Sequence, residues 1–314
     1  VNVGMDLAGF QGIFWLEYFH RLLGRLIGLA FALPFVYFLV RRQIERALAP
    51  KLWLLFALGA AQGLLGWLMV ASGLVDVPRV SPYRLTAHLG LAILIYAATL
   101  WVALGLLYPK SQAADSPIGG VIGGTSGTRV RGPRATTAWM QEVEQRREQL
   151  PRDGAVADSV AALRRFGLAV TGLVFFVILT GGFVAGTHAG FAFNDWPFMH
   201  GRLVPEGLFA LDPWWVNLFE NIATVQFNHR LVAYLLCLVI PAYWFVARRH
   251  RLAARTRSLF HLLLAMLAVQ VTLGIATLVY IVPVSLAAAH QAGALLLLTL
   301  ALLLNHALRA GESS

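Results

Sequence analysis

The chain lacks the cysteine pairs on which several classes of protein depend. Its 314 residues include one cysteine, Cys237, which lies in an apolar run. A disulfide within the chain and cysteine-based metal or c-type haem motifs are therefore excluded. Charge is also scarce, since 13% of the residues are charged and 58% are hydrophobic, against roughly 25% charged residues in a soluble domain. The sequence therefore predicts a polytopic membrane protein.

Acidic residues are the scarcer of the two signs, with 15 Asp and Glu against 25 Lys and Arg. The basic residues concentrate in the links 41–51, 109–165 and 248–258, whereas few lie in the loops on the other side. This bias orients transmembrane helices with the basic loops in the cytoplasm. We therefore expect a bacterial inner-membrane protein whose 109–165 link and C-terminus are cytoplasmic, and no nucleic-acid partner.

Apolar runs long enough to span a bilayer occur along the whole chain. They lie at 13–40, 52–72, 86–108, 166–186, 222–247, 259–281 and 286–308. We predict one transmembrane helix for each. The 109–165 link is rich in Gly, Ser, Ala and Arg, with a charged helix predicted at 138–150, and its expected role is that of a tether. It separates an N-terminal half, 1–108, from a C-terminal half, 166–314.

The two halves repeat the same polar residues in the same order. The matched positions are His20 and His229, Gln62 and Gln270, and His88 and His290. Each half therefore contains a His helix, a Gln helix and a second His helix, as in a parallel repeat. Only the second half has a further helix, 166–186, at its start. We predict an all-α fold of tandem pseudo-symmetric four-helix-bundle halves, with seven helices present of an expected eight.

Four histidines lie within about two turns of the outer ends of helices that run in the same direction. They are His20, His88, His229 and His290. Each pair can face across a bundle, as two axial ligands of one haem iron require. The residue one turn beyond each histidine is small, which would leave room for a porphyrin: Gly24, Ala92, Ala233 and Ala294. The alternative is that each histidine only forms hydrogen bonds between helices.

One acidic residue distinguishes the two halves. Glu17 and Gln226 both stand three residues before a proposed ligand. An ionisable group within a membrane helix is by default a candidate functional residue, and Glu17 can exchange protons or act as a nucleophile. The difference predicts a reactive site in the first half and a permanent electron-delivering haem in the second. The alternative is that Glu17 only forms an i, i+4 ion pair with Arg21.

Three arginines lie near the proposed ligands: Arg21, Arg25 and Arg230. Arginine is well suited to pair with carboxylates, so these residues are candidates to bind haem propionates. The alternative is that their side chains extend along the helix to the lipid headgroups.

The motifs together resemble the haem A synthase family over nearly the whole chain, most closely its alphaproteobacterial and mitochondrial branch. The segments that carry the resemblance are Glu17 to Gly28, Thr86 to Gly90, Gly181 to Gly186, Ala189 to Asn194 with Trp196-Pro197, Gln226 to Arg230, and His290 to Gly293. The family's first helix, with its Gly-Gly and Thr-Arg-Leu-Thr motifs, is absent from the sequence. So is the outer-loop cysteine pair of some bacterial relatives.

The resemblance implies an oxidoreductase with eight helices in two halves. His229 and His290 would ligate a resident haem b, His20 and His88 would hold the substrate haem O, and Glu17 would be the catalytic carboxylate. The implied reaction oxidises the C8 methyl of haem O to a formyl group, with water as the oxygen source. Its product, haem A, is destined for cytochrome oxidase.

Two other classes remain open from the residues alone. The first is a dihaem b-type electron-transfer subunit without substrate chemistry, which would not need Glu17. The second is a transporter with a central ionisable site, which would be colourless when purified. The expected partners of the synthase are the lipid bilayer, haem O, the enzyme that makes haem O, and an unidentified electron partner. The sequence leaves the oligomeric state open, a homo-oligomer included.

Overall fold

Seven long helices make up most of the part of the chain that the structure describes. The structure, a computed structural model, describes residues 6–71, 80–108 and 153–309. The helices are α1 (Leu7–Val40), α2 (Ala49–Ala71), α3 (Pro82–Leu107), α4 (Asp153–Gly186), α5 (Ile222–Ala247), α6 (Ala254–Val279) and α7 (Val284–Arg309). All seven are long and apolar enough to cross a membrane. The prediction of an all-helical polytopic membrane protein is confirmed, whereas the predicted helix at 138–150 lies outside the described residues.

Polar side chains fix the starts of two helices that carry proposed ligands. The Asp6 carboxylate accepts a hydrogen bond from Gly9 N at 2.8 Å at the start of α1. The Asn221 side chain accepts one from Thr224 N at 3.1 Å at the start of α5. Each cap satisfies a backbone N–H that has no partner within the helix. Both helices therefore begin at a defined residue, which sets the height of the histidines that follow.

The last four helices pack in a closed ring. Helix α4 contacts α5, α5 contacts α6, α6 contacts α7, and α7 contacts α4. Their facing side chains form the main hydrophobic core, with fully buried members on every helix of the ring: Val170, Ile240, Leu263, Leu297 and Leu304. Such an arrangement can enclose a cofactor between facing helices.

The first three helices pack more openly. Helix α1 contacts α2, and α2 contacts α3, which in turn packs against α4 and α7. In the apolar windows of α1 and α2, 6% of the residues are buried, against 28% in those of α5 and α7. A hydrogen bond of 2.7 Å between Tyr96 Oη and Thr299 Oγ1 joins α3 to α7. The core of the protein thus lies in the C-terminal ring, and α3 attaches the other helices to it.

An aromatic segment, 187–221, covers the start of α5. It contains two turns of 3₁₀ helix, Ala189–Phe191 and Trp214–Leu218. Asn194 Nδ2 donates a hydrogen bond of 3.0 Å to Leu278 O, which ties the segment to the end of α6. We call 187–221 the outer segment, after the orientation that the positive-inside rule predicts for it.

Candidate functional site

The two histidines of the C-terminal ring are held through one ring nitrogen each. His229 Nδ1 lies 2.8 Å from Thr180 Oγ1 on α4. The Thr180 hydroxyl already donates its single hydrogen to Val177 O at 2.8 Å, so it accepts from His229 Nδ1–H. That tautomer leaves the lone pair of His229 Nε2 available, which is the form of histidine that binds a metal.

His290 is held in a similar way by a glutamine. Gln270 Nε2 on α6 lies 3.1 Å from His290 Nδ1 and donates to His290 O at 2.9 Å. An imidazole that binds iron through Nε2 carries its hydrogen on Nδ1 and needs an acceptor there. In the structure Gln270 presents its Nε2 donor to both His290 O and His290 Nδ1, so Nδ1 accepts there, and this contact has to rearrange when His290 binds iron through Nε2. His229 and His290 also interact electrostatically with each other.

The first half contains a matching glutamine contact with a different ring orientation. Gln62 Nε2 on α2 donates to His88 O at 3.1 Å and lies 3.3 Å from His88 Nε2. His88 Nδ1 is buried without a partner. Helix α1 brings His20 within electrostatic range of His88, but His20 is exposed. The second histidine of each half is thus contacted by the glutamine of the preceding helix, although only His290 has Nε2 free.

Three glycines on neighbouring helices make room for the imidazole rings. A Cβ added at Gly274 would lie 2.8 Å from His290 Cε1, one at Gly66 would lie 3.0 Å from His88 Cε1, and one at Gly181 would lie 3.3 Å from His229 Cε1. These distances are shorter than an ordinary carbon–carbon contact. Each ring therefore rests directly on the backbone of a neighbouring helix.

The small residues one turn beyond the histidines contact the rings less directly. At Gly24 an added Cβ would have no neighbour within 4 Å, and Ala92, Ala233 and Ala294 are half-buried. Open space beside Gly24 accords with the room that was predicted there. That these positions accommodate a porphyrin stays a prediction.

Glu17 lies on the exposed surface of α1. Its carboxylate forms an ion pair with Arg21 one turn further on, and the two side chains are 50% and 49% exposed. The ion pair that was considered as an alternative for Glu17 is therefore present. Arg25 is also exposed. Glu17 and His20 are three residues apart on α1 and therefore lie on the same face of the helix.

Gln226 and Arg230 hold the outer segment in place. The Gln226 amide donates to Ala189 O at 2.9 Å and to Phe193 O at 3.2 Å. Arg230 donates through Nη1 to Phe198 O at 2.9 Å and through Nη2 to Phe193 O at 3.1 Å, while its Nε has no partner. These contacts give Arg230 a structural role. A contact with a haem propionate stays a prediction for Arg21, Arg25 and Arg230.

A half-buried carboxylate of the outer segment, Asp195, interacts electrostatically with Arg230. Asp195 Oδ2 accepts a hydrogen bond from Gly201 N at 3.0 Å. Burial raises the pKa of the Asp195 carboxyl, but the backbone N–H donors of Gly201 and His200 and the positive charge of Arg230 outweigh it and lower that pKa. The outer segment is thus anchored both by hydrogen bonds and by charge.

The donor set fits a haem better than a metal ion bound by the protein alone. Within residues 6–71, 80–108 and 153–309, no group of three or more His, Cys, Asp or Glu side chains could hold a metal ion. A haem iron needs only axial ligands, because the porphyrin supplies the other four. The His229 and His290 rings, oriented through Nδ1 and resting on glycines, fit that requirement.

Sequence reasoning missed Thr180 and the glycine contacts. The repeated glutamines were visible in the sequence, but their contacts with His88 and His290 were not predicted. The signal that could have suggested them is the glycine one turn after each glutamine, Gly66 after Gln62 and Gly274 after Gln270. A small residue next to a polar one on a membrane helix favours close packing with a neighbouring polar side chain.

Similar proteins place the chain in a known group. It is 49% identical over 302 residues to a haem A synthase of Nitrosomonas eutropha, covering 96% of this chain and 74% of the relative. It is also 49% identical over 310 residues to a haem A synthase of Nitrosospira multiformis, covering 98% and 75%. Haem A synthase COX15 of Arabidopsis thaliana is 41% identical over 315 residues, covering 98% of this chain and 61% of that protein.

The family comparison covers most of the sequence and includes all the histidines discussed above. Residues 1–124 and 135–302 match the cytochrome oxidase assembly proteins described as COX15-CtaA. The match extends across both halves of the chain and the outer segment. The chain therefore belongs to the COX15-CtaA family of cytochrome oxidase assembly proteins.

Proposed function

We propose that the protein is a haem A synthase, an oxidoreductase that converts haem O to haem A. The observation that carries the proposal is the identity of 49% to two proteins of that name over nearly the whole chain. The two pairs of histidines support it, because a haem substrate and a haem cofactor both need axial ligands of this kind.

The reaction oxidises the C8 methyl of haem O to a formyl group. With water as the oxygen source, it releases four electrons and four protons for each molecule of product. A one-electron acceptor in or at the membrane must take up the electrons in successive steps. The Glu17 carboxylate is proposed to accept protons at the substrate, while Arg21 keeps it in place.

The two pairs of histidines are proposed to have different tasks. His229 and His290 would hold haem b, which supplies electron-transfer chemistry, because both rings lie in the closed ring of helices and both can present Nε2. His20 and His88 would hold haem O in the more open half. His88 would have to release Nε2 from Gln62 to bind iron, which suits a molecule that binds and leaves.

The proposed architecture is a tandem repeat of two pseudo-symmetric half-bundles, 1–108 and 166–314, joined by the link 109–165. The contacts of Gln62 with His88 and of Gln270 with His290 support it, since they join corresponding helices, α2 to α3 in the first half and α6 to α7 in the second. Helix α4, which supplies Thr180 to His229, is the helix without a counterpart among the first three.

The protein is proposed to lie in a bacterial inner membrane with its basic links on the cytoplasmic side. The arginines around α5 and α6 support this orientation, because they lie at the ends opposite the outer segment. In that orientation both pairs of histidines lie in the outer half of the bilayer. Haem O, the enzyme that makes it and an electron acceptor are the proposed partners.

The test is the variant Glu17→Gln, assayed by extraction and chromatography of haems from the purified protein. We expect the variant to retain haem B and bound haem O but to lose haem A. The matched control is Glu206→Gln, because Glu206 forms an exposed i, i+4 ion pair with Arg202 at 2.8 Å in the outer segment. Continued formation of haem A by Glu17→Gln would remove Glu17 from the mechanism. A protein that contains only haem B under all conditions would instead support the electron-transfer alternative.

A further inference from the structure

A large cavity opens between α5 and α6 at the ends of the helices opposite the outer segment. Its volume is about 640 Å³. Two buried apolar residues, Ala247 and Phe260, lie at its base and are 3% and 2% exposed. None of the proposed haem ligands lines it, so the cavity is separate from the sites described above.

The rim of the cavity carries a concentrated positive charge. Arg248, Arg251 and Arg257 line it and are exposed, and His250 and His261 lie beside them. No Asp or Glu lines the cavity, and the ion pairs formed within the described residues lie elsewhere. Because no carboxylate among residues 6–71, 80–108 and 153–309 pairs with these arginines, the described lining of the cavity favours an anionic ligand.

An aromatic side chain marks the depth of the cavity in the bilayer. Trp244 Nε1 donates a hydrogen bond of 3.1 Å to His261 Nδ1, and the Arg248 guanidinium lies 4.8 Å from the centre of the indole ring. The spanning segment Ile222–Ala247 ends at this level, and the next segment, Ala254–Val279, begins there. Tryptophan and arginine at the end of a span are typical of the lipid headgroup region.

We propose that this cavity binds the headgroup of an anionic phospholipid. The guanidinium groups of Arg251 and Arg257 would bind the phosphate oxygens through paired N–H donors, as arginine does with phosphates. The glycerol and the start of the acyl chains would contact Phe260 and Leu252. A basic pocket between transmembrane helices at this depth is the arrangement that binds such headgroups. A soluble phosphate has no apolar part, so it would make no favourable contact with the apolar base of the cavity.

The test measures lipid binding to the purified protein in detergent by native mass spectrometry, with cardiolipin as the probe. We expect the double variant Arg251→Gln/Arg257→Gln to bind it about 25-fold more weakly, because each arginine near an anionic headgroup contributes roughly a factor of five. The matched control is Arg249→Gln. Arg249 lies in the same link, with its guanidinium 5.0 Å from the Phe245 ring and outside the cavity, so its loss should leave binding unchanged.

Three outcomes would overturn the proposal. The first is equal binding of cardiolipin by the wild type and the double variant. The second is equally tight binding of phosphatidylcholine, which would show that apolar contact alone determines binding. The third is displacement of cardiolipin by inorganic phosphate, which would indicate a site for soluble anions. If the double variant does not fold, as judged by its haem absorption, Arg257→Gln alone should weaken binding roughly fivefold.

Discussion

The glycines that support the imidazole rings allow a test of the two proposed haem sites. Gly274→Ala would place a methyl group 2.8 Å from His290 Cε1, and Gly66→Ala would place one 3.0 Å from His88 Cε1. Each substitution adds one carbon atom and no charge. Since alanine favours the helix over glycine by about 1 kcal/mol, any loss of function must come from the contact with the ring.

The expected effect follows from the distances. Carbon atoms in contact prefer a separation of about 3.5–4.0 Å, so Gly274→Ala requires the His290 ring to retreat by roughly 0.7 Å or more. Metal–ligand distances tolerate deviations of only about 0.2 Å. A ring displaced this far binds iron more weakly, and disturbing the surroundings that orient a metal ligand typically costs about 10–100-fold in affinity.

The assay is the reduced absorption spectrum of the purified protein, with haem B measured per mole of chain. We expect Gly274→Ala to lose haem B. We expect Gly66→Ala to keep haem B but to lose bound haem O and the formation of haem A. The control is Gly63→Ala on the same helix as Gly66, because a Cβ at Gly63 would have no neighbour within 4 Å.

Two results would refute this reasoning. Full occupancy by haem B with an unchanged spectrum in Gly274→Ala would show that His290 does not hold the resident haem. Loss of haem B in Gly66→Ala, with Gly274→Ala unaffected, would reverse the assignment of the two halves.

Two further predictions concern the outer segment. Asp195→Asn should lower the thermal unfolding temperature at pH 7. Because the pKa of Asp195 is lowered in the folded state, its carboxylate stabilises the fold above about pH 4, and this stabilisation is lost as the pH falls through the folded-state pKa. The unfolding temperatures of wild type and variant should therefore converge in acid, and a difference that is the same at every pH would contradict this. Gln226→Met should lower the free energy of unfolding by about 1–3 kcal/mol, because it removes the two hydrogen bonds that the amide donates to Ala189 O and Phe193 O, each worth about 0.5–1.5 kcal/mol. Glu17→Met at the exposed matching position should change the free energy of unfolding by no more than about 0.5 kcal/mol, and equal effects in a denaturant titration would refute the difference.

The transmembrane helices could be predicted from the sequence because membrane spans are defined by length and hydropathy. All seven predicted spans correspond to helices of the structure. The predicted first residues of the helices were less accurate, since α4 begins at Asp153 and the predicted span begins at residue 166. A helix continues beyond its apolar run wherever its backbone hydrogen bonds continue, and hydropathy does not report that.

The contacts around the histidines could not be predicted in the same way. They depend on how far each helix is rotated about its axis, and one sequence does not specify that rotation. Thr180 is an example, because it lies in an apolar helix and only its contact with His229 gives it a role. Gln62 and Gln270 were recognisable as a repeated pair, yet the sequence alone did not indicate what they contact.

The comparison of Glu17 with Gln226 shows how the structure changes a conclusion drawn from the sequence. The sequence suggested that Gln226 is a neutral replacement at a site without chemistry. In the structure the Gln226 amide donates to two carbonyl oxygens of the outer segment and its Oε1 accepts from Arg230 at 3.2 Å. An ionised carboxylate only accepts hydrogen bonds, so a glutamate in this place would lose both hydrogen bonds and would bring a negatively charged oxygen against Ala189 O and Phe193 O.

An amide is therefore favoured at Gln226 for structural reasons, independently of any reaction. Glu17 has no such requirement, because its carboxylate is half exposed and contacts only the Arg21 side chain. Packing thus explains why the second half has an amide, but it does not explain why the first half has an acid. The acid still needs a chemical reason, and a role in proton transfer during the oxidation of the substrate would supply one.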